Sequence, residues 1–379
     1  MKSLIAVAIL VLIRPAGAEE PASQFVSGPG AARAAPVPLS GLYEEDLLAS
    51  SPIRVEQWQQ MRAYIAALPQ RDSGDPARNA QPEAETTEGL RRFFRGLLGY
   101  PPPEFLAAPS ARMVKVGEDA AATYYRCYVK VAPEMETYGL YLVPKRAVRP
   151  APLVIALHGG SGYPELATFH GGTNYHDMVR GAVAQGYVVF APLTLMWPAR
   201  DRDHGTPIPP DVRTRLDDEM RKRGTTLMGV EAAKISRALD VLAQRPEVDP
   251  RRIAVIGLSY GGYYALYTAA LDPRIRVVIA SGCFSDRVRN DPFHPEKPRK
   301  PIDLSSVELV RLICPRPLQV QAGIRDPQHP VSEARRAAPL ARALYPGPES
   351  ARFDFEAFAG VHEFRGDIAW PFLRRFLDQ

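Results

Sequence analysis

Cysteine is scarce in this chain: Cys127, Cys283 and Cys314 are the only three in 379 residues. Thiols so few and so spread exclude a disulfide scaffold and a cysteine zinc cluster. One bridge would leave a thiol over. Two of the three lie in or near apolar strand-like runs, where buried free thiols are the simpler expectation. His170 and His176 have no acidic or cysteine partner at ligand spacing, so no metal site is expected. No phosphate loop or dinucleotide fingerprint occurs, and no cofactor is expected. Past the opening residues, no window approaches the roughly 18 consecutive apolar residues of a spanning helix. Charge of one sign is missing too. The 47 basic residues face 42 acidic ones and are scattered, apart from clusters such as Arg91-Arg92 and Arg221-Lys222-Arg223, so no nucleic-acid partner is expected. What is present is 46% hydrophobic and 23% charged residues, suited to a sizeable core in one large domain with an appendage.

The opening residues, MKSLIAVAILVLIRPAGAEE, combine Lys2, an apolar stretch from Leu4 to Ile13 and small residues at Ala16-Gly17-Ala18. They read as a signal peptide over residues 1–18, too short to persist as a membrane anchor. Loss of Lys2 and Arg14 with it lowers the formal charge from +5 to +3. A secreted or periplasmic protein, with no membrane insertion after leader cleavage, is the expectation.

Residues 19–111 are rich in Ala, Pro, Gly and Arg and hold two helical candidates, Glu56 to Leu68 and Thr87 to Leu98. The polar, breaker-rich stretch QRDSGDPARNAQPEAETT between them reads as a loop. This is a helical or irregular extension. From Arg112 the pattern changes: TYYRCYVKV and YGLYLVP alternate as an opening antiparallel pair. PLVIALH, YVVFAPL, RIAVIGL, RVVIASG and PLQVQAG are short apolar runs of the kind buried on both faces of a parallel sheet. Helix candidates at Tyr175 to Gln185, Thr226 to Gln244, Tyr260 to Leu271, Ser332 to Leu344 and Asp367 to Leu377 lie among them, and FDFEAF adds a strand. The alternation predicts an α/β domain over residues 112–379, a doubly wound, mostly parallel sheet. Chemistry in such sheets sits beyond the carboxyl ends of the strands.

One such end reads RIAVIGLSYGG. Ser259 stands between a strand ending near Leu258 and a helix starting near Tyr260, at G-x-S-x-G spacing with Gly257 and Gly261. A sharp strand-to-helix turn needs small neighbours to present a lone hydroxyl, so Ser259 is the expected nucleophile. A serine also needs a base, and the base an acid to orient it. His362, in the loop FAGVHEF after the last strand, is the expected base. His329 is its rival, but it sits three residues after Asp326, where that acid would orient it poorly. Asp326, in AGIRDP after the penultimate strand, is the expected acid, ahead of Asp286 in SGCFSDR. Oxyanion donors are expected from the Tyr260 amide at the helix start and from the LHGGSG loop, where Gly159 and Gly160 allow close backbone approach and Gly160 is preferred. His158 is expected to fix that loop.

These residues carry a resemblance. A strand ending in HGG, a strand entering TLMW, then GTTLMGVEAAKISRALDVLAQRPEVDPRRIAVIGLSYGGYYALYTAALDPRI, AGIRDP and VHEF together resemble the α/β-hydrolase superfamily over residues 112 to 379. RPEVDPRRI and ALDPRI make the chain most similar to the dienelactone hydrolase and acetyl xylan esterase-like group. The resemblance implies the α/β-hydrolase fold, with Ser259 as nucleophile, Asp326 as acid and His362 as base. Dienelactone hydrolases proper tend to use a cysteine nucleophile, so dienelactone itself is not the expected substrate here.

The expectation is an exported serine ester hydrolase acting on a small-molecule or carbohydrate ester. GLSYGGYYAL is also similar to the nucleophile motif of prolyl oligopeptidases, and a peptidase is the alternative, although roughly ninety residues before the domain are too few for the β-propeller those enzymes carry. A catalytically silent binding protein on the same fold is a second alternative. The loop WPARDRDHGTPIPP, with Arg200 and Arg202, is expected to line the substrate pocket.

Overall fold

The computed structural model describes residues 41–70, 86–160, 162–169, 174–194, 212–286 and 304–379. The expected leader, most of the 70–87 loop, His170 and the Trp197 to Pro210 loop lie outside them. Residues Ser40–Gln379 make one compact unit. Among the described residues, no helix is long and apolar enough to cross a membrane.

A nine-stranded sheet runs in the order β1-β2-β3-β5-β4-β6-β7-β8-β9. Its strands are β1 (Ser110–Glu118), β2 (Ala122–Ala132), β3 (Met135–Pro144), β4 (Ala151–Leu157), β5 (Val188–Pro192), β6 (Val248–Leu258), β7 (Val277–Ser281), β8 (Leu318–Gly323) and β9 (Phe353–Phe358). The first three form an antiparallel meander, and β3 joins β5 antiparallel. All later pairings are parallel. The expected opening pair is therefore the inner part of a three-stranded edge. Its outer strand β1 is mostly exposed, so it lacks the apolar alternation that marks a half-buried strand. The parallel strands β4, β5, β7 and β8 are buried along their whole length, as their unbroken apolar runs require.

Side-chain alternation divides the core. Leu153, Ile155 and Leu157 of β4 face one apolar layer, and Val154 and Ala156 face the other. Among the described residues there are ten helices: α1 (Ser51–Ala67), α2 (Thr87–Leu98), α3 (Pro164–Thr168), α4 (Met178–Ala184), α5 (Val212–Arg221), α6 (Leu227–Leu242), α7 (Tyr260–Leu271), α8 (Ser306–Ile313), α9 (Val331–Arg342) and α10 (Gly366–Leu377). Helix α7 follows Ser259 at the end of β6 and is buried almost throughout, which its mostly apolar, uncharged sequence permits.

The helices ahead of residue 112 are built into this core. Thr86 caps α2 by accepting the Gly89 amide, and Gly99 ends it at φ 59°, the left-handed conformation that glycine adopts most readily. The hydroxyl of Thr226 donates to the Leu98 carbonyl at 3.1 Å and accepts the Gly229 amide at 2.9 Å. The GTTLMG segment thereby caps α6 and grips the end of α2. Buried Arg91 donates to the Ala270 carbonyl at 2.9 Å and to the Leu312 carbonyl at 2.8 Å, while Arg316 donates to the Ala269 carbonyl at 2.7 Å. Two guanidiniums thus satisfy carbonyls in the last turn of α7, where a helix lacks partners of its own.

Candidate active site

Ser259 occupies the turn between β6 and α7 at φ 59° and ψ −122°, a conformation that costs a non-glycine residue about 1–3 kcal/mol. Close packing enforces it. A Cβ on Gly257 would lie 2.3 Å from the Gly261 carbonyl, and one on Gly261 would lie 2.1 Å from the Leu157 carbonyl oxygen. The Ser259 amide donates to the Ser281 carbonyl at 2.7 Å, tying the turn to the end of β7.

Asp326 follows β8 and His362 follows β9, and both side chains reach this edge. His362 Nδ1 and Asp326 Oδ2 lie 2.7 Å apart, and Asp326 Oδ1 accepts the Gln328 and His329 amides at 2.8 and 2.9 Å. Burial pushes the Asp326 carboxyl up, but the hydrogen bonds from His362 and the two amides outweigh it, and its pKa falls below the ordinary value. Gly282, at φ 61°, lies against the His362 ring: a Cβ there would stand 3.0 Å from Cε1. Ser259, Asp326 and His362 are 6%, 7% and 8% exposed, so all three are largely shielded from solvent.

The rival residues take other positions. Asp286 pairs with Arg336, at 3.0 Å from Oδ2 to Nε. The ring of His329 stacks on that of His362, with centroids 5.4 Å apart and planes 16° from parallel.

The HGG loop lies beside the serine. A Cβ on Gly159 would come within 3.3 Å of Ser259 Cβ. The Gly159 amide donates to the Tyr175 hydroxyl at 2.9 Å, so it is engaged away from any substrate and Gly160 is the next amide along. His158 Nδ1 meets the Gly159 carbonyl at 2.9 Å, and its Nε2 accepts the Thr194 amide at 3.0 Å. Burial lowers its pKa to about 4. It is a neutral strut that locks the loop. Tyr260 opens α7, whose first-turn N–H groups point out of the helix end.

Several contributors have no motif of their own. The Ser281 hydroxyl donates to the Glu363 carbonyl at 2.8 Å, and the Asn174 amide group donates to the His362 carbonyl at 3.1 Å. Ser281 and Asn174 hold the His362 loop from 82 and 188 residues away in sequence, separations that no local pattern spans, while Tyr175 holds Gly159 from 16 residues away. The three cysteines are free. Burial raises the pKa of Cys127 to about 12 and pushes that of Cys283 up further.

Residues 138–311 match the dienelactone hydrolase family. A Bacillus subtilis (strain 168) protein named as a hydrolase, YtaP, is 30% identical over 141 residues, 35% of this chain and 47% of that protein. The chain thus spans about half the length of this relative. Among solved structures, acetyl xylan esterase 1 from a Thermoanaerobacterium species is similar at a TM-score of 0.55 and 19% identity, over 80% of this chain and 98% of that one. The glucuronoyl esterase from Solibacter usitatus is similar at 0.54 and 17%, over 76% and 91%. The strand order and the strand-turn-helix at Ser259 are those of the α/β-hydrolase fold, and residues 138–311 within it carry the match to the dienelactone hydrolase family.

Proposed function

We propose that this protein is an exported serine hydrolase that cleaves carboxylic esters, with acetyl esters of carbohydrates as the leading substrate class. The observation that carries the reading is the 2.7 Å Asp326–His362 pair at the same sheet edge as a strained, glycine-framed Ser259. Relatives of similar fold that act on xylan acetyl and glucuronoyl esters support the substrate class.

His362 Nε2 takes the Ser259 proton as Oγ attacks the ester carbonyl carbon, and Asp326 stabilises the imidazolium through Nδ1. The oxyanion rests on the Tyr260 and Gly160 amides, each worth roughly 3 to 4 kcal/mol. As the carbon–oxygen bond breaks, His362 returns the proton to the leaving alcohol. Water, deprotonated by the same histidine, then releases the acid from the acyl-enzyme. Residues 1–18 act as the leader in this reading and 112–379 as the catalytic domain.

The test is hydrolysis of p-nitrophenyl acetate, butyrate and octanoate and of an acetylated xylo-oligosaccharide, by the protein and its Ser259→Ala variant. Short-ester and sugar-ester cleavage that vanishes in the variant is the expected result. Cleavage that survives the substitution overturns the serine mechanism, and indifference to the sugar ester overturns the substrate class.

A further inference from the structure

A single hydrogen bond does not orient an imidazole completely. The bond from Nδ1 to Asp326 Oδ2 fixes one point of the His362 ring, and the broad torsion about the bond to a planar ring still lets that ring roll. We infer that His329 is a positioning residue that sets the ring plane of His362, an inference that rests on the proposed role of His362 as base.

Two contacts of one residue carry this. The His329 ring lies parallel to the His362 ring, at 16° and 5.4 Å between centroids. Its backbone amide donates to Asp326 Oδ1 at 2.9 Å. The same residue therefore supports the acid through its main chain and the base through its face. On another side of the base, the Gly282 backbone closes in so tightly that a Cβ there would stand 3.0 Å from Cε1 and press on the ring. A point from Asp326, a plane from His329 and an edge from Gly282 together fix the direction of Nε2. Pro327 and Pro330 flank the segment and restrict its backbone.

The stack has a chemical consequence as well as a steric one. When His362 takes the serine proton its ring becomes a cation, and an aromatic face stacked against a cation is favourable. A phenyl ring at position 329 would preserve both the plane and the face, whereas a methyl group would preserve neither.

The experiment compares kcat and KM for p-nitrophenyl acetate in the full chain and in His329→Ala, His329→Phe and Ser259→Ala, with thermal midpoints for each. Misplacing a catalytic group by about an ångström costs up to roughly a hundredfold. The expected result is a kcat about tenfold lower in His329→Ala with KM within about twofold, and recovery in His329→Phe to within about threefold of the parent. If His329→Ala unfolds, His329→Gln replaces it as the variant without a ring. A ringless variant with the parent's kcat overturns the inference, as does a phenylalanine variant no better than the ringless one. Activity retained in Ser259→Ala overturns the underlying reading and this inference with it. An inactive Ser259→Ala beside an unimpaired ringless variant overturns the positioning role alone.

Discussion

The turn that carries Ser259 and the loops that carry Asp326 and His362 meet at one sheet edge, yet different forces hold them. The serine side is held by exclusion: backbone packs on backbone at Gly257 and Gly261 so closely that a single added carbon collides. The Asp326–His362 side is held by attraction, through that pair, two amides on Asp326 Oδ1, and donors from Ser281 and Asn174 to the Glu363 and His362 carbonyls. Steric constraint is local and leaves glycines in the sequence. Hydrogen-bonded constraint is assembled from residues far apart in the chain. The first tolerates no added atom, whereas the second is lost bond by bond.

That contrast can be broken from either side. The largest effect is expected from Ser259→Ala, a loss of about 10⁶ in kcat on p-nitrophenyl acetate. Next, Asp326→Asn keeps the shape of the acid but favours the wrong tautomer of His362, for an expected loss of about 10⁴. Both are read from steady-state rates. Gly261→Ala should destabilise the fold by about 3 kcal/mol, the cost of forcing an atom into a filled site, seen in urea unfolding.

His158 sharpens the comparison through pH. Its native pKa is about 4 against an ordinary 6.5, so below about 6.5 the unfolded chain binds a proton that the native chain refuses. Its contribution is complete above pH 6.5 and is lost as pH falls to 4, amounting to about 3 kcal/mol. Urea midpoints between pH 7 and 4.5 should show that slope, and His158→Gln should remove that part of it. The depressed Asp326 carboxyl has the same sign but acts lower: its contribution is present above the ordinary carboxylate range and is lost as pH falls through its native value. The smallest effect is expected from Ser281→Ala, about 1 kcal/mol for one hydrogen bond, measured by the same unfolding assay.

Much of the architecture was legible before any coordinates. Helices α2 and α7 and strand β9 begin and end where the pattern placed them, because Thr86 and Gly99 bound the first and Ser259 starts the second with a sharp turn. Five of the six parallel strands, β4 to β8, are legible for a similar reason: burial on both faces demands unbroken apolar runs. The exposed β1 and the short or polar helices α3 and α5 were not, and α8 was missed although Ser305 and Glu308 form a capping box ahead of its apolar face. The segment before residue 112 reads as an extension, yet its Arg91 reaches the end of the helix that Ser259 begins. A lone arginine in a sequence does not say which carbonyls it will meet.

At the site the division is the same. Sequence alone determined the residue types, their order and the strand ends they follow, because a glycine-framed turn and a loop after a strand are properties of adjacent residues. It also supplied two candidates for the acid and two for the base. Only the tertiary structure decided which of these meet: it set His362 on Asp326, paired Asp286 with Arg336, and laid His329 over His362 as a neighbour instead of a rival. The reason is physical, since the sheet order brings β6, β7, β8 and β9 side by side and each contact joins elements whose separation along the chain carries no local signature.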